Sequence, residues 1–499
     1  MKKVLTSRYD RFYLLLLAGI VILVFPFLQA DPHAAISISR DAFTDEGLNT
    51  IQVRNWVNYG RLDIDECDNF VKMPLFGMLM ALGFSVLGTG WAAARITALC
   101  WTLFFMTLAW VRLKEKRGFL LVFIPIGLFN YYTFQYLRFS MAESMTSAAI
   151  LWSIAEFARA WQQMELPLPQ RPARRKIWLL PVLSVWICIA LKNQFAYLLP
   201  LWFLWYGWGI WLQRKNGLRE ILRQTLAVCL LFAGAGLLYL LIFYLPFREA
   251  LHTIMTHQTS GRFVGMHELY DEAKINMLRT FRHPQLQGMA WLFIPALFLG
   301  VLAHRYRGDR FFSLLSGLLF LWFATEWHKF GIRWVPARYL LPLFWSAAAW
   351  TALVLWQLWT TRAQTRYRFT LRSLAFALFA VFIVLEVRQV RFLHAQRSYA
   401  IRDANARVAQ VLSVPTNKVV LGPWAPCLTW QSGSLAVPVW SDFLNGRDFD
   451  TRYEPAAWVS EPDQGDNDGA FAAKGIEFKG ARLDSFYIRD RWIYFLPAE

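Results

Sequence analysis

An adjacent acid pair, Asp45-Glu46, follows the first apolar run of the chain, with Asp41 just before it. A carboxylate held at that place can take a proton from a hydroxyl as the hydroxyl attacks. Acids in a first helical turn also have a plainer use, since they complement the helix dipole. Their place beside a membrane face, where ionised groups are costly, weights the pair towards chemistry. Lys72, in Lys72-Met73-Pro74, comes next. It suits a snorkelling anchor, or a point charge for a lipid phosphate. Arg138 and Glu143 lie in YLRFSMAESM, and Lys192 lies in ALKNQFAYLLP. The stretch Glu326–Phe344 carries Glu326, His328, Lys329, Arg333 and Arg338 just ahead of another apolar run. So many charges at one edge exceed what anchoring needs. The spacing of His252, His257 and His267 matches no zinc signature. No nucleophile elbow, phosphate-binding Gly-rich loop or H-E-x-x-H motif is present.

The elements that must position these residues are membrane helices. Of 499 residues 56% are hydrophobic and only 17% charged, with 25 Trp and 41 Phe. Several apolar runs reach roughly 17–20 residues, enough to span a hydrocarbon core. The net charge of +18 is concentrated in short breaks between these runs. That is the positive-inside pattern, and it speaks for orientation rather than for nucleic acid. The first run, Phe12–Leu28, reads as a retained anchor with its N-terminus in the cytoplasm. Pro74 opens a helix over Leu75–Leu87, and Gly88 follows it. That helix is short enough to be interfacial.

Counting onward predicts an all-α polytopic domain of about 11 transmembrane helices over 1–392, with 29–90 as its first outer loop. Span three is Gly118–Tyr132, and the last is Ser373–Val390. The odd count puts the C-terminus outside. Residues 393–499 read as a small extracytoplasmic α/β domain. Its helix is Tyr399–Leu412, its strands are Lys418–Gly422, Ala456–Ser460, Phe486–Ile488 and Trp492–Phe495, and Pro462–Gly469 is a loop.

In this order the residues resemble the GT-C superfamily of integral-membrane glycosyltransferases. The resemblance is nearest to the bacterial protein O-mannosyltransferase branch, which includes the lipid A aminoarabinose transferases. It is carried by Asp45-Glu46, by Lys72-Met73-Pro74-Leu75, by Val86-Leu87-Gly88 and by Arg95. Glu143, the Lys192 to Pro200 element and Pro336-Ala337-Arg338-Tyr339-Leu340-Leu341-Pro342 extend it. Met73 replaces the usual first proline, and Glu143 stands where Asp is commoner.

The resemblance implies an inverting enzyme whose donor is a sugar on a polyprenyl phosphate, used outside a bacterial inner membrane. Lipid A, another envelope glycan or a protein would be the acceptor. Asp45 and Glu46 would be the catalytic acids and Glu143 the second acid. Lys72, Lys192, Arg338 and Tyr339 would bind the donor phosphate. Whether a divalent cation or basic side chains alone balance that phosphate stays open. The rival from another class is a transporter or lipid flippase. A transporter would place polar groups at mid-membrane on broken helices, whereas the charges here gather at outer ends. Cys67 and Cys427 are the two cysteines on the predicted outer side, where they could be bridged.

Overall fold

The computed structural model describes residues 7–498 apart from 33–40, 63–68, 114–116, 166–173, 213–217, 257–263, 266, 283–291, 301–309, 334, 361–364, 413–417, 442–443, 463–464, 479–481 and 489–490. The chain is mostly helical. Five helices are long and apolar enough to cross a bilayer: Arg8–Leu28, Trp91–Leu113, Ile221–Ile254, Ala337–Thr360 and Arg372–Ala395. Helices also lie over Ala142–Glu165, Arg174–Leu191, Leu198–Leu212, Arg310–Glu326 and 292–300. Ala142–Glu165 is buried on nearly every side. Its Glu143, Ser144, Thr146, Ser147 and Glu156 dilute its hydropathy, which a helix shielded from lipid can tolerate.

The third expected span is not straight. Gly118–Leu128 and Tyr131–Leu137 meet at 85°. Ile124–Leu128 is a π-helical segment, and Asn130 caps the second piece by accepting from the Thr133 N–H at 2.8 Å. The Asn130 amide donates back to the Ile126 and Gly127 carbonyls, both at 2.8 Å. Glu386, from the Thr365–Ala395 helix, accepts the Tyr131 N–H at 2.7 Å. The freed backbone groups at the break are therefore met by side chains. After the bend the chain brings Arg138 to Asp31, and Glu143 to the Arg338 that pairs with Asp45.

The Pro74–Leu87 helix forms as its residues require. Pro74 stands in the first turn, and Gly88 ends it at φ 82°, where its N–H bonds the Phe84 carbonyl at 2.9 Å. The acid-bearing helix runs from Asp41 to Tyr59. Its apolar residues are unevenly covered. Leu48 and Ile51 are buried, but Trp56 is 42% exposed. Arg54 and Asn55 are buried instead, because this helix is covered by the C-terminal domain as well as by the membrane helices.

That domain holds a five-stranded sheet with order β4-β3-β5-β7-β6. The strands are β3 Val419–Leu421, β4 Leu435–Val437, β5 Pro455–Ser460, β6 Asp484–Ile488 and β7 Arg491–Pro497. The pairings of β3 with β4 and β5 are parallel; those of β7 with β5 and β6 are antiparallel. The three-residue β4 went unforeseen, being too short to show an alternating pattern. The expected loop at Pro462–Gly469 is largely helix, over Gly465–Ala473. Asp468 fastens it by accepting from the Ser460 hydroxyl at 2.5 Å. The last membrane helix continues to Ala395, past the expected boundary at 392/393. There β2 (Arg397–Ser398) turns back and pairs antiparallel with β1 (Asp31–Pro32).

The joint between the acid-bearing helix and this domain is tight. Arg54 donates to the Pro426 carbonyl at 3.1 Å and the Thr429 hydroxyl at 2.8 Å, and lies over the Trp430 ring at 4.5 Å. Burial pushes the Arg54 guanidinium down to about 10. Tyr59 donates to the Gly433 carbonyl. A Cβ on Gly47 would stand 2.7 Å from the Cys427 Sγ and 2.8 Å from the Pro426 carbonyl carbon. Backbone cannot retreat as a side-chain tip can. Gly47→Ala should therefore destabilise the protein by about 1–3 kcal/mol, read as a lower Tm in detergent. An unchanged melt would show that this joint is loose. The expected partner of Cys427, Cys67, lies outside the described residues.

Candidate active site

Two charged clusters form where the acid-bearing helix meets the ends of the membrane helices. The first contains Glu46. Its carboxylate accepts from Trp91 Nε1 at 2.7 Å, from Arg95 Nη2 at 2.7 Å and Nε at 2.9 Å, and from the Ser140 N–H and hydroxyl, both at 3.0 Å. Arg95 also pairs with Asp31 at 3.0 Å and donates to the Phe27 and Ala30 carbonyls. Arg138 pairs with Asp31 at 2.6 Å, rather than with Glu143 across the loop. All four ionic groups are buried. Two acids and two bases balance in charge, which makes the burial affordable. Glu46, expected beside Asp45 in catalysis, is thus saturated by donors and has no lone pair facing solvent. The strand pair β1–β2 closes over this cluster at Asp31.

The second cluster contains Asp45. Successive helical residues point about 100° apart, so pinning Glu46 on one side turns Asp45 to another. Asp45 is ion-paired with Arg338. The Arg338 Nε lies 3.2 Å from Glu143 Oε1, and Lys192 Nζ lies 2.6 Å from the same oxygen. Tyr339 completes the group, its ring 4.8 Å from Lys192 Nζ and 5.0 Å from the Arg338 guanidinium carbon.

These residues come from four separate segments. Asp45 is on the acid-bearing helix and Glu143 in the first turn of the Ala142–Glu165 helix. Lys192 ends the Arg174–Leu191 helix, and Arg338 and Tyr339 lie in the single 3-10 turn Ala337–Leu340. Lys72 ends a short helix over Asn69–Lys72. The preceding Val71 carbonyl accepts from Asn193 at 3.0 Å, so the Lys72 loop is tied to the residue after Lys192.

A neighbouring pair was noticed in the sequence but given no role. Glu326 and Lys329 are buried and paired at 2.5 Å. Glu326 also accepts from Trp322 Nε1 at 2.9 Å and from the Tyr197 hydroxyl. Asp31 and Ser140 went unrecognised. A lone Asp and a lone Ser carry no spacing signal, and only the fold brings Asp31 to Arg95 and Ser140 to Glu46.

No protein-family model matches the chain. No curated protein matches it either. Solved structures do match. ArnT from Cupriavidus metallidurans, bound to undecaprenyl phosphate, is 14% identical with a TM-score of 0.62, over 97% of each chain. Its apo state is 15% identical with a TM-score of 0.63 over the same shares. The archaeal oligosaccharyltransferase AglB from Archaeoglobus fulgidus, in complex with an inhibitory peptide and a dolichol-phosphate, is 12% identical with a TM-score of 0.52. That match covers 91% of this chain and 70% of AglB. The chain has the GT-C fold. Its membrane helices, acid-bearing helix and C-terminal domain all fall within the match to ArnT, given the 97% coverage.

The donor set in this cluster suits an anion better than a cation. Asp45 and Glu143 are each engaged by basic side chains. Among the described residues no three His, Cys, Asp or Glu side chains converge as metal ligands. A divalent ion does not fit this arrangement of side chains, and no step is assigned to one.

Proposed function

We propose that the chain is an inverting integral-membrane glycosyltransferase. It moves a sugar from a polyprenyl-phosphate donor to a hydroxyl or phosphate of an acceptor outside the membrane. Lipid A, another envelope glycan and a protein are the acceptor classes. One observation carries the reading: Arg338 joins Asp45 to Glu143, with Lys192 on the same acid. A proton acceptor and a cation nest then lie side by side, as displacement of a phosphate requires. The neighbours support the donor class, since ArnT is described with undecaprenyl phosphate and AglB with a dolichol-phosphate.

In this mechanism Asp45 takes the proton of the acceptor oxygen. That oxygen bonds to the anomeric carbon from the face opposite the phosphate. The carbon–oxygen bond to the phosphate breaks, its electron pair stays on the phosphate, and the configuration inverts. Arg338, Lys192 and Lys72 meet the added charge, and Tyr339 donates a hydrogen bond. Glu46 is assigned to holding the helix rather than to the chemistry. The test is incubation of purified protein in detergent with a radiolabelled polyprenyl-phosphate sugar and envelope glycolipid or peptide acceptors. Transfer of label with inverted configuration is expected. Label that stays on the donor across all acceptor classes, with properly folded protein, rejects the reading.

The same reading carries a topology with eleven crossings, a cytoplasmic N-terminus and an outer C-terminal domain in a bacterial inner membrane. The Pro74–Leu87 helix lies at the interface in this scheme. A reporter fused after Arg117 should read cytoplasmic, and one after Glu499 external. An external signal at Arg117 would mean that Pro74–Leu87 crosses.

A further inference from the structure

The pairing of Asp45 with Arg338 has a cost for the mechanism. The base and the cation meant for the leaving phosphate are spent on each other. A carboxylate held by a guanidinium is a weak proton acceptor, and the pairing lowers its affinity for a proton. A guanidinium held by a carboxylate is likewise partly neutralised towards a phosphate.

We propose that Arg338 is exchanged between Asp45 and the donor phosphate, so that donor binding switches on the base. This rests on the reading of Asp45 as base and Arg338 as phosphate ligand. The geometry suits an exchange of one end only. Arg338 is held at Nε by Glu143 at 3.2 Å, while its Nη1 faces Asp45. A guanidinium presents five N–H donors in a rigid fork. It can keep Glu143 as a pivot and move its other edge from carboxylate to phosphate. Glu143 is itself fixed by Lys192 at 2.6 Å. Arg338 is 9% exposed and its neighbour Tyr339 backs the guanidinium, so the swing is shielded from bulk water.

The charges then balance through the reaction. The donor phosphodiester arrives with one negative charge and draws Arg338 from Asp45. The uncovered Asp45 accepts the proton of the attacking hydroxyl. The departing phosphate gains the electron pair as Asp45 becomes neutral, so the cluster as a whole keeps its charge. Before donor arrives, Asp45 stays ionised and poor as a base, which discourages proton exchange with water. Among the described residues, the charged and titratable groups near Asp45 include Glu46 on its own helix, Glu143 and Lys192 on the far side of Arg338, Lys72 on the adjoining loop, and the Cys427 thiol, which burial keeps protonated.

The exchange predicts proton uptake on donor binding. The probe is a short-chain polyprenyl methyl phosphodiester, which has no titrating oxygen of its own near neutral pH. Its binding to the full chain in detergent is followed by calorimetry in buffers of differing ionisation enthalpy, from about pH 4 to 7. Wild type should take up a fraction of a proton, at most one, at the acid end of this range. Asp45→Asn should bind and take up none. Arg338→Gln should bind more weakly and take up less than wild type, because its Asp45 is already uncovered.

Binding to wild type without uptake overturns the exchange and leaves the phosphate site standing. Equal uptake by wild type and Arg338→Gln also overturns it, since the field of the anion alone would then suffice. Failure of the probe to bind any of the folded proteins rejects the phosphate site, and the exchange with it.

Discussion

Asp45→Asn should lower sugar transfer by about 10²–10⁴-fold while the protein stays folded. Asparagine keeps the size and the helix but cannot accept a proton. The substitution strands no buried charge, because Arg338 retains Glu143 at 3.2 Å. Expression and Tm should therefore stay near wild type, and the loss should fall on kcat. The neighbouring Glu46→Gln should behave in the opposite way. It leaves Arg95 with only Asp31 as counter-charge inside a fully buried cluster. Stability should fall first, and activity only with it. Near-normal turnover by purified Asp45→Asn would remove the base from this position. A cold, well-folded Glu46→Gln would return Glu46 to the chemistry.

Arg338→Lys should lower transfer by roughly 10²–10³-fold, the scale for removing one preorganised donor from a site of developing charge. The charge is kept, but an ammonium is a point and a guanidinium is a planar fork. One Lys cannot hold Glu143 by one edge and offer another edge to Asp45 or a phosphate. A helix anchor, by contrast, would accept any long cation. The comparison is made on purified protein by transfer rate and by affinity for polyprenyl phosphate. Wild-type values for both in Arg338→Lys would place the phosphate elsewhere.

Much of the local structure was legible because it follows from short-range rules. Pro74 and Gly88 bracket a helix whatever surrounds it, and the helix runs Pro74–Leu87. Apolar length marks membrane helices, and alternation marked four of the five strands in the C-terminal sheet. The acids and bases that could do chemistry were also identifiable one by one, since charges beside apolar runs are conspicuous.

What each charge is bonded to was not legible. Asp45 and Glu46 are neighbours in sequence with the same kind of side chain, and their difference comes only from what the folded chain brings to each. Trp91, Arg95 and Ser140 close on Glu46, while Arg338 arrives at Asp45 from nearly three hundred residues away. Arg138 and Glu143 stand close together in the sequence, yet Arg138 pairs with Asp31 while Glu143 pairs with Lys192 and Arg338. Nothing in the local sequence marks Arg54 and Asn55 for burial, but the C-terminal domain covers both. Helix and strand periodicity are written in neighbours a few residues apart. Ion pairing in a low-dielectric interior is decided by which chain ends fold together, and no local pattern carries that information.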